Sequence, residues 1–302
     1  MGNGAYGIDV FAKHFSVAAY DDKCMTADWS DLVPETVAEM GPGGGIGAGL
    51  AALVFGAKTY YTFEGDLRSM QLDAMVALNE IIFLVNNGYV PRNSQSPEIA
   101  RGTEKPPVDD EWGPLDGDIR FPYYHYEPFA AEKARARIPA IVAAIKGDNN
   151  SEASIKRITR WHEGAPNDKL FDKIDFVWSH AVMEHVASVA PCYARLTQYI
   201  KPGGKQSHQI DMTSHSRTEK YNGQYAWSAY ELAASNGQHH VEDIINGLAP
   251  TYHKNALEGF GNEVTFNGLR RGTNGIEKKH PECTVPEEEV DVAGQFIQVM
   301  KR

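Results

Sequence analysis

Residues 37–47 read VAEMGPGGGIG, in which Glu39 stands near the end of a short apolar run and the seven positions after Met40 hold five glycines and a proline. Bare backbone of this kind approaches a ligand closely and reaches conformations that side chains disfavour. When a strand ends in such a turn and a helix follows, main-chain N–H groups and the helix dipole together cradle an anionic or strongly polar group. The chemistry expected of residues 39–47 is the binding of a nucleotide-like ligand at a strand-to-helix bend. The plain structural alternative is a tight connection that holds no ligand.

Two ligand classes use that geometry. Gly43 to Ala48 fit the G-x-G-x-x-A pattern of a dinucleotide site, and Glu64 follows about twenty residues later, where such sites place the acid that holds a ribose. The second class is S-adenosylmethionine. Glu39 separates the two, because a carboxylate at the strand end is compensated beside an ammonium and a sulfonium but repelled by a pyrophosphate. The acid argues against a dinucleotide.

A second set of groups follows further along. His180 and His185 lie in SHAVMEHV, and His208 and His215 in QSHQIDMTSH, each at or near the expected carboxyl end of a strand. That edge is where open α/β sheets bind ligands. Methyl transfer from a sulfonium needs a general base only when the acceptor carries a proton at neutral pH, and histidine suits that task. Each histidine is equally readable as a half-buried side chain bonded to backbone. Asp211 could orient His208 or His215, or accept a hydrogen bond from substrate. The spacing of these histidines and acids matches no recognised metal-ligand pattern, and no metal is expected.

These groups need elements to position them. VAEMG reads as a strand, IGAGLAALVFGA as an apolar helix and TYYTFEG as a strand ending in an acid, which together make a βαβ unit. A right-handed crossover puts the glycine turn and Glu64 at the same sheet edge. LRSMQLDAMVALNEIIFLVNNG reads as a helix stopped by Gly88, and AAEKARARIPAIVAAIKG as another. SIKRITRW, KIDFVWS and QSHQIDM read as strands, with EHVASVAPCYARLTQYI as a helix closed by KPGG. The tail offers helix around 226–257 and two late strands, EVTFNGLRR and QFIQVMKR, for seven strands in all.

Residues 1–35 read as an N-terminal segment of one or two short helices, and 36–302 as one domain. Residues 89–128, with many prolines, the acidic VDDEW and the aromatic FPYYHYEPF, are too long for a simple loop and read as an inserted lid. The aromatic cluster could stack on adenine, cap a substrate or pin the insertion to the core.

With these blocks in order, the chain resembles the class I S-adenosylmethionine-dependent methyltransferases. The resemblance rests on VAEMGPGGGIG, YYTFEGD, FDKIDFVWSHAVMEHV and YIKPGGKQSHQID. It covers most of 36–66 and 154–215, about a third of the chain, and continues more weakly through NGQYAWSAYELA and IINGLAPTYHKNALEGFGNEV. It implies a Rossmann-like, seven-stranded, mostly parallel sheet with helices on both faces, and S-adenosylmethionine as cofactor. Glu39, Gly41, Pro42, Gly43 and Gly45 would surround the methionine moiety, Glu64 the ribose, and Ser179 would lie on the donor side. The pair Glu184 and His185 would position donor or acceptor, and His185, His208 and Asp211 lead the catalytic candidates, followed by His180. The sequence departs from the family in its long insertion. It also lacks a clean counterpart of the adenine-flanking acid, for which Glu163 is nearest by spacing and Asp168 second.

The expected activity is methyl transfer to a hydroxyl or amine of a small-molecule or glycan-type acceptor. The alternatives are an NAD-dependent oxidoreductase using the same turn, which Glu39 and the Glu184–His185 block disfavour, and a non-catalytic nucleotide-binding protein. Composition bounds the rest. Lys and Arg total 29 against 40 Asp and Glu, a formal net charge of −11 that repels nucleic acids and anionic membranes. Three cysteines without metal-ligand spacing indicate neither a disulfide framework nor a zinc site and favour a reducing compartment. Residues 1–15 lack a signal-peptide pattern and no apolar run reaches a membrane span, so the chain reads as soluble and cytoplasmic.

Overall fold

The computed structural model describes residues 3–19, 32–64, 70–88, 131–159, 161, 167–212, 246–271 and 285–302. In chain order they form α1 (Asn3–Ala19), β1 (Thr36–Met40), α2 (Gly47–Phe55), β2 (Thr59–Glu64), α3 (Met70–Asn86) and α4 (Ala131–Ile145). There follow β3 (Ser154–Thr159), β4 (Ile174–His180), α5 (Val189–Tyr199), β5 (Ile200–Asp211), α6 (Pro250–Gly259), β6 (Asn262–Arg271) and β7 (Val292–Lys301). The expected insertion at 89–128, together with Glu163 and His215, lies outside the described residues.

The strands form one sheet in the order β3-β2-β1-β4-β5-β7-β6. β1 to β5 pair in parallel, and β7 runs antiparallel to both of its neighbours. This is the expected Rossmann-like α/β architecture, a mostly parallel seven-stranded sheet with helices on both faces. Side chains alternate across each strand, so one strand feeds two cores. In β4, Phe176 and Trp178 join the core under α1, α2, α3 and α4, while Val177 joins Tyr193, Leu196 and Leu257 under α5 and α6. A strand covered on both faces reads as a nearly continuous apolar run, as IDFVWSH does.

Helix patterns follow burial. In α5 the buried Val189, Cys192, Tyr193, Leu196 and Tyr199 recur at three- and four-residue intervals, a single stripe facing the sheet. α2 is buried at every position. α6 starts with Pro250, whose missing N–H costs nothing in the first turn.

One local expectation changes, that KPGG closes a helix. In the N-terminal segment, residues 3–19 form a helix that packs into the α2 face of the core through Ile8, Phe11 and Phe15. Gly4 and Gly7, which suggest breaks in a sequence, instead let it sit close. A Cβ on Gly7 would stand 2.3 Å from the carbonyl carbon of Gly47, and one on Gly4 would stand 2.7 Å from Glu80 Cβ. The KPGG stretch belongs to β5, which begins at Ile200 opposite Ile174, with an irregular register before Lys205 meets Phe176. Among the described residues no helix is long and apolar enough to cross a membrane.

Candidate functional site

Parallel pairing sets the carboxyl ends of β1, β2 and β4 side by side. Met40 lies opposite Phe63 and Ser179, and Ser179 in turn lies opposite His208 of β5. The backbone of Glu64 pairs with Thr159 at the end of β3. This edge therefore brings together Glu39, the glycine turn, the end of β2, Ser179, His180 and Asp211. Asp168 stands apart, exposed in a short 3-10 turn after β3.

Glu39 is buried, at 6% exposure, and Tyr60 Oη donates to its Oε2 at 2.8 Å. Tyr60 lies two places before the residue opposite Glu39 on β2, so both side chains share the α2 face. That partner was legible once the register was known. Tyr6 of α1 also lies near, and burial together with the Glu39 carboxylate raises its phenol above the ordinary range.

The turn itself bends at Gly41 (φ 67°) and Gly43 (φ 64°), both in the left-handed region that favours glycine. Gly45 N–H closes it on the Pro42 carbonyl at 3.4 Å, and the Gly41 N–H reaches back to Phe63 at 3.0 Å. No side chain caps the start of α2. Among the described residues, a Cβ on Gly43 or Gly44 would meet no atom within 4 Å, whereas one on Gly41 would stand 2.7 Å from Val182. The turn is thus pressed against the β4 loop on one side and unobstructed at Gly43 and Gly44. Ala181, at φ 52°, gives that loop its own sharp bend.

The histidines divide. His185 closes the 3-10 turn Met183–His185 and is exposed. His208 is wholly buried, with Nδ1 2.8 Å from Ser179 Oγ, Nε2 3.3 Å from Gln206 Oε1, and Tyr193 against its ring. Its two nitrogens engage Ser179 and Gln206, so Asp211 does not orient it. Burial, with His253 nearby, lowers the imidazole to about 3. His180 Nδ1 lies 3.3 Å from Nε2 of His14, whose Nδ1 lies 2.7 Å from Ser207 Oγ. Loss of water around the ring, and then the Lys13 charge, lower His180 to about 3. His180 and His208 are far weaker proton acceptors than a free imidazole.

Glu184 is 1% exposed and neither carboxylate oxygen has a hydrogen-bond partner. Burial pushes it up to about 8; main-chain groups of Glu184 and Asp211, close to the carboxylate but not in hydrogen-bonding geometry, oppose this, and the Asp211 charge reinforces it. Asp211 Oδ1 lies 3.7 Å from Arg270 Nη2. Sequence reasoning missed His14, Tyr60, Tyr193 and Asn246. Only tertiary packing joins these to the edge, and apart from Tyr60 no local signal marks them.

No family model matches the sequence, and no curated protein sequence matches it. Many of the solved structures that match are S-adenosylmethionine-dependent methyltransferases. One from Mesorhizobium loti is 12% identical, with 90% of this chain and 94% of that chain covered and a TM-score of 0.39. Another, from Methanosarcina mazei, is 10% identical over 90% and 95%, with a TM-score of 0.38. The 4+2 cyclase SpnF is 11% identical over 99% and 95%, with a TM-score of 0.41. Likeness at this level does not choose a reaction.

Proposed function

We propose that the protein transfers a methyl group from S-adenosylmethionine to a hydroxyl or amine of a small-molecule or glycan-type acceptor. The observation that carries this reading is the buried Glu39 carboxylate, fixed by Tyr60 at the mouth of a glycine turn whose outer positions are unobstructed. A carboxylate so placed attracts the ammonium of a methionine moiety and repels a diphosphate. The residues present therefore fit this donor better than a dinucleotide.

When bound, the donor supplies a methyl already activated by sulfonium, so the protein's work is alignment and exclusion of water. Gly41, Gly43 and Gly45 would present backbone to the methionine moiety, with Pro42 limiting the turn's freedom and Glu39 taking the ammonium. Glu64 would hold the ribose hydroxyls and Ser179 would border the donor from β4. Glu163 or Asp168 would flank the adenine. On the acceptor side, His185 stands at the surface of the turn, where a base toward a hydroxyl would act, beside Glu184 and Asp211. His208, neutral and enclosed, and His180, neutral and half-buried, would hold the floor of the site in place. The small-molecule partner and a cytoplasmic location complete the proposal.

Thermal unfolding with S-adenosylmethionine, S-adenosylhomocysteine and NAD tests it. A ligand at a hundred times its dissociation constant stabilises by about 2.7 kcal/mol. The first two are expected to raise the melting temperature and NAD to leave it unchanged; the reverse pattern refutes the proposal.

A further inference from the structure

The turn that carries Glu184 is held firmly. Asn246 N–H donates to the Glu184 carbonyl at 2.8 Å, and its Nδ2 donates to the carbonyls of Met183 at 2.6 Å and Val186 at 3.0 Å. A carboxyl buried by a fixed turn, with both oxygens unpartnered, is a costly arrangement that a ligand group would relieve. Asp211, the nearest acid named by its field, has Arg270 Nη2 3.7 Å away, whereas among the described residues no cation pairs with Glu184. An ammonium would fill both needs, giving the two oxygens donors and an ionised Glu184 the countercharge that no cation among the described residues supplies.

The cationic groups of a bound donor are served elsewhere. Glu39 shares the α2 face with Tyr60, while Glu184 neighbours Tyr193 and Met183 in the core under α5. We propose that Glu184, unpartnered between the turn after β4 and the end of β5, receives a protonated amine of the acceptor, so that the acceptor class is an amine rather than a hydroxyl. This rests on the methyltransferase reading above. Binding of R–NH3+ releases the carboxyl proton to solvent and leaves a carboxylate–ammonium pair. Within that pair one N–H proton passes to a Glu184 carboxylate oxygen, which frees the nitrogen lone pair and conserves charge. Burial, which holds Glu184 up to about 8, matches its proton affinity to this exchange near neutral pH.

The test is a pH titration of the side-chain carboxyl carbons by NMR, with the Glu184 signal assigned through Glu184→Gln. Methylammonium chloride is the probe, with sodium chloride at equal ionic strength and methanol as controls. Methylammonium is expected to lower the Glu184 midpoint by about one pH unit or more, a tenfold preference of the ionised form for the cation. An unchanged midpoint, or an equal response to sodium chloride, overturns the proposal. Should Glu184→Gln fail to fold, calorimetry of the unaltered protein in two buffers of different ionisation enthalpy replaces it. Proton release on methylammonium binding at pH 7 supports the assignment and its absence overturns it. S-adenosylhomocysteine binding without any response to methylammonium overturns the amine assignment alone, whereas no S-adenosylhomocysteine binding overturns the reading beneath it.

Discussion

A side chain at Gly41 meets two separate penalties. Its φ of 67° strains any L-residue, and its Cβ would stand 2.7 and 2.8 Å from the two Val182 methyl carbons. Gly41→Ala is therefore expected to cost about 2–5 kcal/mol, from left-handed strain of about 1–2 and overpacking of about 1–3. Urea unfolding measures this. Adding Val182→Ala should recover the overpacking part and leave the backbone part, and a double variant no better than Gly41→Ala would refute the contact. The glycine turn and Glu39 were legible in the sequence because local chemistry demands them. The burial of Glu184 and the Ser179–His208 bond were not, since 29 residues separate that pair and only the register of β4 with β5 joins it.

Among the elements, α1 depends most on tertiary context. Its polar Asp9, Lys13 and His14 are buried, so its hydrophobic pattern understates its place in the core. It crosses the start of α2 backbone to backbone at Gly7 and reaches Ser207 and Phe296 on the sheet through His14. Gly7→Val is expected to pry α1 from α2, costing about 1–3 kcal/mol, and to weaken donor binding, because Tyr6 and the glycine turn then lose their common support. Isothermal titration with S-adenosylhomocysteine, beside a urea melt, checks both; unchanged affinity would remove α1 from the site. The strands were readable because β-branched and aromatic runs bounded by turns have few other solutions. KPGG was misplaced because its turn-like residues sit in a strand stretch whose register slips.

For the whole molecule, acid is the weak side. Burial lowers His208 and His253 to about 3 and lowers His14 well below its ordinary value, while in the unfolded chain each titrates near 6.5. Their contribution is complete above about pH 6.5 and is lost as pH falls toward 3, at about 1.4 kcal/mol per pH unit for each. Glu184 has the opposite sign. Held up to about 8, its contribution is complete below about 4.3 and lost as pH rises through 8. The free energy of urea unfolding is thus expected to climb steeply from pH 4.5, peak near 6.5 and decline gently to 8. Glu184→Gln should flatten the alkaline side and steepen the rise between pH 4.5 and 6.5, and a profile of the unaltered protein still rising between pH 6.5 and 8 would contradict the linkage. The sheet order adds a constraint in time. β6 comes before β7 in the chain yet its neighbour among the described strands is β7 alone, which also fills the open side of β5. A ribosome that has finished β6 has made a strand with nothing to dock on, and β5 offers a bare hydrogen-bonding margin until the next strand emerges. Pausing of translation between residues 271 and 292 is thus the moment at which nascent chains would most readily pair with one another, and at which a chaperone would have most to shield.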